Sequence, residues 1–113
     1  MIKYLKDSFK RKIARRFTKE YPSIISTYNI KNIGEVEFAN WSNPFQSPIP
    51  LDENMIEFFN QFIKPGDLII DIGAHIGDTT VPMSLCSGAQ GLAIGFDPNP
   101  YVFKILKKKY FFK

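Results

Sequence analysis

Residues 66–100 read GDLIIDIGAHIGDTTVPMSLCSGAQGLAIGFDPNP, and this stretch decides the fold. Residues 68–72 form an apolar run with one acid, which is typical of a parallel strand buried on both faces. Residues 73–77 predict a tight glycine turn, and residues 78–86 predict a helix. Residues 92–96 predict a second strand. Strand, helix and strand in this order predict a parallel crossover unit and therefore an α/β fold.

Further elements are predicted on both sides of this unit. Asn99 is a suitable N-cap for a third helix that has Pro100 in its first position. Upstream, Asp52 predicts the cap of a helix over residues 53–63, and residues 33–38 alternate as in a short strand. The intervening stretch up to Pro50 is rich in proline and serine, which predicts a loop. The chain is therefore divided into an N-terminal extension, 1–50, and a domain, 51–113.

The net charge of +4 belongs to the two ends of the chain. Residues 1–20 carry eight Lys or Arg and two acids, and residues 104–113 carry five Lys and no acid. Residues 21–103 carry two Lys and nine acids, so the region of the predicted turn is acidic and no nucleic-acid partner is predicted. The single cysteine, Cys86, is interpreted as a buried structural thiol in a reducing compartment, which favours a cytoplasmic location.

Residues 2–20 predict a basic amphipathic helix. An apolar residue recurs there every three or four positions, and Lys and Arg occupy the other faces: the apolar positions are Ile2, Leu5, Phe9, Ile13 and Phe17. Two interpretations stay open. The helix either lies peripherally on an anionic membrane or forms a solvated cap on a partner surface. No run of the sequence approaches the ~18 apolar residues that a membrane span requires.

The chemistry of the glycine turn points to a ligand with an anionic or zwitterionic end. Gly73 and Gly77 permit positive φ and a close approach to the backbone, and the helix that follows offers unpaired N–H groups. Asp71 lies at the carboxyl end of the first strand, where open parallel sheets bind ligands. Asp97 ends the next strand, where a carboxylate can accept hydrogen bonds from both hydroxyls of a ribose.

A dinucleotide is the poorer fit to this turn. The dinucleotide fingerprint requires glycine at positions 75 and 78, where this chain has His75 and Asp78. Asp78 would also face a pyrophosphate with like charge. A cofactor with one ribose and an amino-acid end fits better, and S-adenosylmethionine has both; an NAD-type oxidoreductase is the weaker alternative.

The two motifs, DIGAHIGDTT at 71–80 and FDPNP at 96–100, resemble those of the FkbM family of S-adenosylmethionine-dependent methyltransferases. The resemblance covers residues 55–107. It implies a Rossmann-like class I methyltransferase fold, here truncated after the second strand and its following helix. It also implies O-methylation of a hydroxyl on a sugar or related metabolite, so the expected partner is a small-molecule or glycan acceptor.

The resemblance also implies roles for individual residues. Asp71, Gly73 and Gly77 correspond to the motif that holds the methionine part, with His75 where family members often have Asn. Thr79 would bond the cofactor carboxylate. Asp97 corresponds to the ribose ligand, although family members more often have Glu. The complete set of candidate cofactor-binding residues is Asp71, Gly73, His75, Gly77, Asp78, Thr79, Asp97 and Asn99.

Each of these residues also has a purely structural interpretation. The glycines would serve a strand-to-helix turn, Asp71 would be an internal acceptor, and Asp97 an Asp-Pro turn. No catalytic base is predicted, and no metal site, because His75 is the only histidine. The fold needs about seven strands, so we expect a fragment that is inactive alone and that self-associates through its uncovered strands. The alternative is a non-catalytic interaction or membrane-surface module with a vestigial cofactor site.

Overall fold

The computed structural model describes residues 1–16, 19–47 and 49–108. In these ranges the chain is a small α/β domain with four helices and two two-stranded sheets. The elements in chain order are α1 (Ile2–Arg16), β1 (Ser23–Ile30), β2 (Gly34–Trp41), α2 (Glu53–Asn60), β3 (Leu68–Ile72), α3 (Thr80–Ser87), β4 (Leu92–Phe96) and α4 (Pro100–Lys107).

Strands β3 and β4 form the parallel sheet that the sequence predicts, with both strands within the predicted bounds. Their register pairs Leu68 with Leu92 and Ile72 with Phe96, so both strands end at the same edge. Helix α3 connects them and packs against both. The residues that follow Ile72 and Phe96 therefore meet at this edge, where the sequence predicts the site.

An antiparallel hairpin of β1 and β2 supplies much of the core. Strand β1 had no counterpart in the sequence prediction, and β2 extends further than the predicted strand at 33–38. Phe38 of the hairpin is 1% exposed and its ring meets Tyr28 edge-on. One continuous apolar cluster joins the hairpin to α2, α3 and α4: its members include Val36, Phe38, Ala39, Ile56, Ile76, Val81, Val102 and Ile105. The hairpin is thus packed into the same core as α2, α3 and α4.

Three predicted helices have different bounds. Helix α1 ends at Arg16, and residues 19–20, which the periodicity included, are not helical. The exposed Glu20 carboxylate instead forms an ion pair with Lys104 of α4. Positions 17–18, including Phe17, lie outside the described residues. Helix α2 ends at Asn60 rather than at 63. The N–H groups of residues 61–63 donate hydrogen bonds to the carbonyl groups of Phe58 and Phe59 in a tight turn. Helix α3 begins at Thr80 rather than at 78.

Helix α4 begins as predicted, and its inner face is partly different. The Asn99 side chain accepts hydrogen bonds from the N–H groups of Tyr101 and Val102, and Pro100 occupies the first turn. Val102 and Leu106 are buried as expected. The prediction for Phe103 is wrong, since it is 37% exposed and Ile105 is buried instead. Tyr110, also predicted on this face, lies outside the described residues.

Cys86 is buried, as its apolar helical pattern predicts. Its thiol donates a hydrogen bond to the carbonyl of Ile56 at 3.4 Å, which ties α3 to α2. Burial raises the pKa of the Cys86 thiol, because the thiolate would lose its hydration. Burial and the raised pKa agree with the interpretation of Cys86 as a structural thiol.

One face of the parallel sheet is exposed, so the prediction of burial on both faces is wrong for the described chain. Ile72 is 84% exposed, and four further apolar side chains on this face are more than half exposed: Leu68, Ile70, Leu92 and Phe96. The cause is that α3 and the core cover only the opposite face. The exposed side chains present on the order of 500 Å², at the upper end of the patches found on monomers.

We expect this sheet face to make the chain self-associate at high concentration. The patch is smaller than the ~800 Å² that each partner buries in a standard stable interface, so the association should be weak and reversible. Sedimentation velocity should show a mass that rises with concentration, and Ile70→Lys should hold the chain monomeric. Ile25→Lys, which alters a similarly exposed residue of the hairpin, is the control. A wild-type chain that stays monomeric throughout would refute the expectation.

Candidate functional site

The Asp97 carboxylate lies against the Gly73–Gly77 turn. Its Oδ2 accepts a hydrogen bond from the backbone N–H of His75 at 2.9 Å, and its Oδ1 accepts one from the N–H of Asn99 at 2.8 Å. A carboxylate offers about four lone-pair sites, so each oxygen keeps one for another donor. The acid that ends β4 and the turn that follows β3 thus form one contiguous surface.

The turn has the backbone conformation that its sequence predicts. Gly73 and Gly77 have φ of +83° and +87°, and His75 has φ of +51°, which is uncommon for a residue with a side chain. The N–H groups of Gly73 and Ala74 both donate to the carbonyl of Phe96, at 2.8 and 2.9 Å. A Cβ at Gly73 would meet no atom of the described residues within 4 Å. The turn is therefore anchored to β4 and still open to solvent at Gly73.

Asp71 is half-buried, and its carboxylate is directed to the start of α3. Its Oδ2 accepts hydrogen bonds from the hydroxyls of Thr80, at 2.6 Å, and Thr79, at 3.0 Å. Thr79 is the N-cap residue of α3 by position, but its side chain makes no capping bond. Asp71 therefore fixes the helix start relative to β3, in agreement with its structural interpretation. Its Oδ1 is left for a further donor, so a ligand role can coexist with the structural one.

We expect Thr80→Val to lower the free energy of unfolding by about 1.5–3 kcal/mol. Thr80 is 7% exposed, and valine keeps its shape while removing the hydroxyl that bonds the carboxylate. Thr79→Val should cost less because Thr79 is more exposed and its bond is longer. Denaturant titration measures both, with the exposed strand residue Thr27→Val as the control within ~0.5 kcal/mol. Equal stability of wild type and Thr80→Val would show that the Asp71 bond contributes nothing.

The start of α3 presents a row of free donors. Among the described residues, the N–H groups of Asp78, Thr79 and Thr80 have no hydrogen-bond partner. Such groups, together with the helix dipole, favour an anion. Asp78 is half-buried beside them. Asn99 serves as the cap of α4, and its side-chain oxygen is occupied by that role. Its interpretation as a cap is confirmed.

Two residues beside the turn were not predicted from the sequence. Trp41, at the end of β2, meets the His75 ring edge-on with centroids 6.0 Å apart, and its indole N–H is buried without a partner among the described residues. Gly95 lies beneath the turn, where a Cβ would come within 3.0 Å of the Ala74 Cβ. Trp41 belongs to no sequence motif, and its position beside the turn depends on how the hairpin packs. The absence of a side chain at Gly95 was the available signal for close packing.

Comparison with known proteins found no relative of this chain. No family model, no curated protein and no solved structure matches the chain. The resemblance of the two motifs to the FkbM methyltransferases therefore depends on the residues themselves.

Proposed function

We propose that this chain binds S-adenosylmethionine and belongs to an enzyme that methylates a hydroxyl group, on a sugar or a related metabolite. The observation that carries the proposal is the contact between the Asp97 carboxylate and the His75 N–H at 2.9 Å. It holds an acceptor suited to two ribose hydroxyls against the turn that leads into α3 and its free N–H groups. One ligand with a ribose and a charged amino-acid end can then engage both.

The residues present fit this cofactor in four respects. Asp97 has a free lone-pair site on each oxygen, as bidentate binding to a ribose requires. The N–H groups of Asp78, Thr79 and Thr80 suit the methionine carboxylate. Asp71 has an oxygen left for the ammonium group. The open space at Gly73 admits the cofactor to the backbone of the turn.

The division of roles in this site follows from the same contacts. When bound, the cofactor supplies a methyl group on a positively charged sulfonium. Asp97 and the donors of α3 fix the two ends of the cofactor, and Asp71 fixes α3 itself through Thr79 and Thr80. Methyl transfer further requires an acceptor oxygen aligned behind the methyl group, and much of that catalysis is positioning. These residues supply the cofactor side of that alignment.

Isothermal titration calorimetry tests the choice of cofactor. S-Adenosylhomocysteine should bind with a one-to-one stoichiometry and micromolar affinity. NAD should bind much more weakly, because Asp78 would repel a pyrophosphate and the dinucleotide fingerprint requires glycine at positions 75 and 78. Equal or tighter binding of NAD would favour the oxidoreductase alternative. If neither ligand gives a heat of binding, the turn and Asp97 have only structural roles.

A further inference from the structure

Helix α1 presents an apolar stripe that no described part of the chain covers. Ile2, Leu5, Phe9 and Ile13 are 73%, 60%, 66% and 45% exposed. At ~100° per residue these four positions share a stripe about 80° wide on one side of the helix. A helix with such a stripe normally packs it against a core. Here it is left open to a partner.

Basic side chains flank this stripe. Lys12 and Lys6 stand on its two borders, each about 20° outside it, and both are exposed. Lys3 and Lys10 are also exposed and lie further round on the same side as Lys6. The only acid of the helix, Asp7, lies nearly opposite the stripe. The surface is therefore an apolar strip between two cationic borders.

We propose that α1 lies flat on an anionic lipid bilayer, with the stripe in the acyl boundary and the lysines among the headgroups. The charge pattern selects this occupant, because apolar area and anionic lipid attraction add in interfacial helices. A second copy of the helix fits less well, since its cationic borders would face those of the first. No helix among the described residues is long and apolar enough to cross a bilayer.

This proposal is independent of the cofactor site, because no candidate cofactor residue lies in α1. If both hold, the helix brings a methyl-transfer site to a membrane surface. Loss of lipid binding would leave the cofactor proposal untouched, and the reverse is also true.

Vesicle co-sedimentation of the full chain tests the proposal. The chain should bind vesicles of phosphatidylcholine mixed with phosphatidylserine, and bind vesicles of phosphatidylcholine alone much less. Raising the salt to 1 M, where the Debye length is ~3 Å, should release most of the bound chain. The double variant Lys6→Gln and Lys12→Gln should bind at least ~10-fold more weakly, since each lysine contributes about fivefold. Glutamine and lysine have similar helix propensity, so the helix itself is retained.

A second variant separates the apolar contribution. Phe9→Ser should weaken binding by at least ~10-fold at low salt, because a buried phenylalanine accounts for a factor of ten or more. Phe62→Ser removes an equally exposed ring outside α1, where Phe62 is 67% exposed, and should leave binding unchanged. Three results would each overturn the proposal: equal binding to both kinds of vesicle, an equal effect of Phe62→Ser, or Phe9-dependent dimers without lipid binding.

Discussion

Asp97→Ala is expected to weaken the binding of S-adenosylhomocysteine by at least ~100-fold. The wild-type carboxylate would accept hydrogen bonds from two ribose hydroxyls, and each bond to a charged group contributes about 1.5–3 kcal/mol. The variant also removes the contacts of Asp97 with the N–H groups of His75 and Asn99, which loosens the turn. Calorimetry measures the loss of affinity, and circular dichroism should show that the variant keeps the wild-type fold.

The matched control is Asp52→Ala. Asp52 is also a carboxylate at a helix start, where it accepts a bond from the N–H of Asn54, and its loss should cost about 1 kcal/mol of stability. Its removal should leave the affinity unchanged because it is not part of the turn. Asp97→Asn keeps one acceptor oxygen and should lie between wild type and Asp97→Ala. If Asp97→Ala binds S-adenosylhomocysteine with unchanged affinity, Asp97 does not bind the ribose.

Phe38→Ala is expected to lower the free energy of unfolding by about 3–5 kcal/mol. Phe38 is almost completely buried where the hairpin meets the helices, so its removal leaves a cavity in the shared core. Small domains have only about 5–15 kcal/mol of stability, and this chain should lose much of it. The transition should involve hairpin and parallel sheet together. Urea titration followed by far-ultraviolet circular dichroism and by Trp41 fluorescence measures both.

The hairpin also provides the control for this variant. Ile25 is 53% exposed on β1, and Ile25→Ala should change the stability by no more than ~0.5 kcal/mol. The division of the chain at residue 50 stays a prediction, and Phe38→Ala tests it. If the hairpin were independent of residues 51–113, fluorescence and circular dichroism would report two separate transitions, and the parallel sheet would keep wild-type stability.

The parts of the fold that local chemistry determines could be predicted from the sequence. Strands β3 and β4 are runs of apolar residues with turn signals on both sides, and their bounds follow from that. Asn99 and Pro100 predict the start of α4. The Asn99 side chain accepts hydrogen bonds from unpaired N–H groups of the first turn, and Pro100 has no N–H that would need a partner. The positive φ at Gly73 and Gly77 follows in the same way from a turn that only glycine adopts easily.

The features that depend on tertiary contacts could not be predicted. Strand β1 is rich in β-branched residues but exposes Ile24 and Ile25, so its pattern does not alternate cleanly. The side chain of Asp71 turns to the threonines of α3, which its position at the end of a strand does not indicate. Trp41 reaches His75 only because β2 continues past the predicted end. Each case requires knowledge of which elements pack together.

The central claim is that one ligand contacts two parts of the site at once. One part is the Gly73–Gly77 turn together with the start of α3, and the other is the Asp97 carboxylate. The most direct test is titration of the ¹⁵N-labelled chain with S-adenosylhomocysteine, followed by amide chemical shifts. The resonances of the turn and helix start and those of the Asp97 region should shift together and give one dissociation constant. The first group is Gly73, His75, Asp78, Thr79 and Thr80, and the second is Asp97 and Asn99. Movement on only one side, or none at saturating ligand, would contradict the claim.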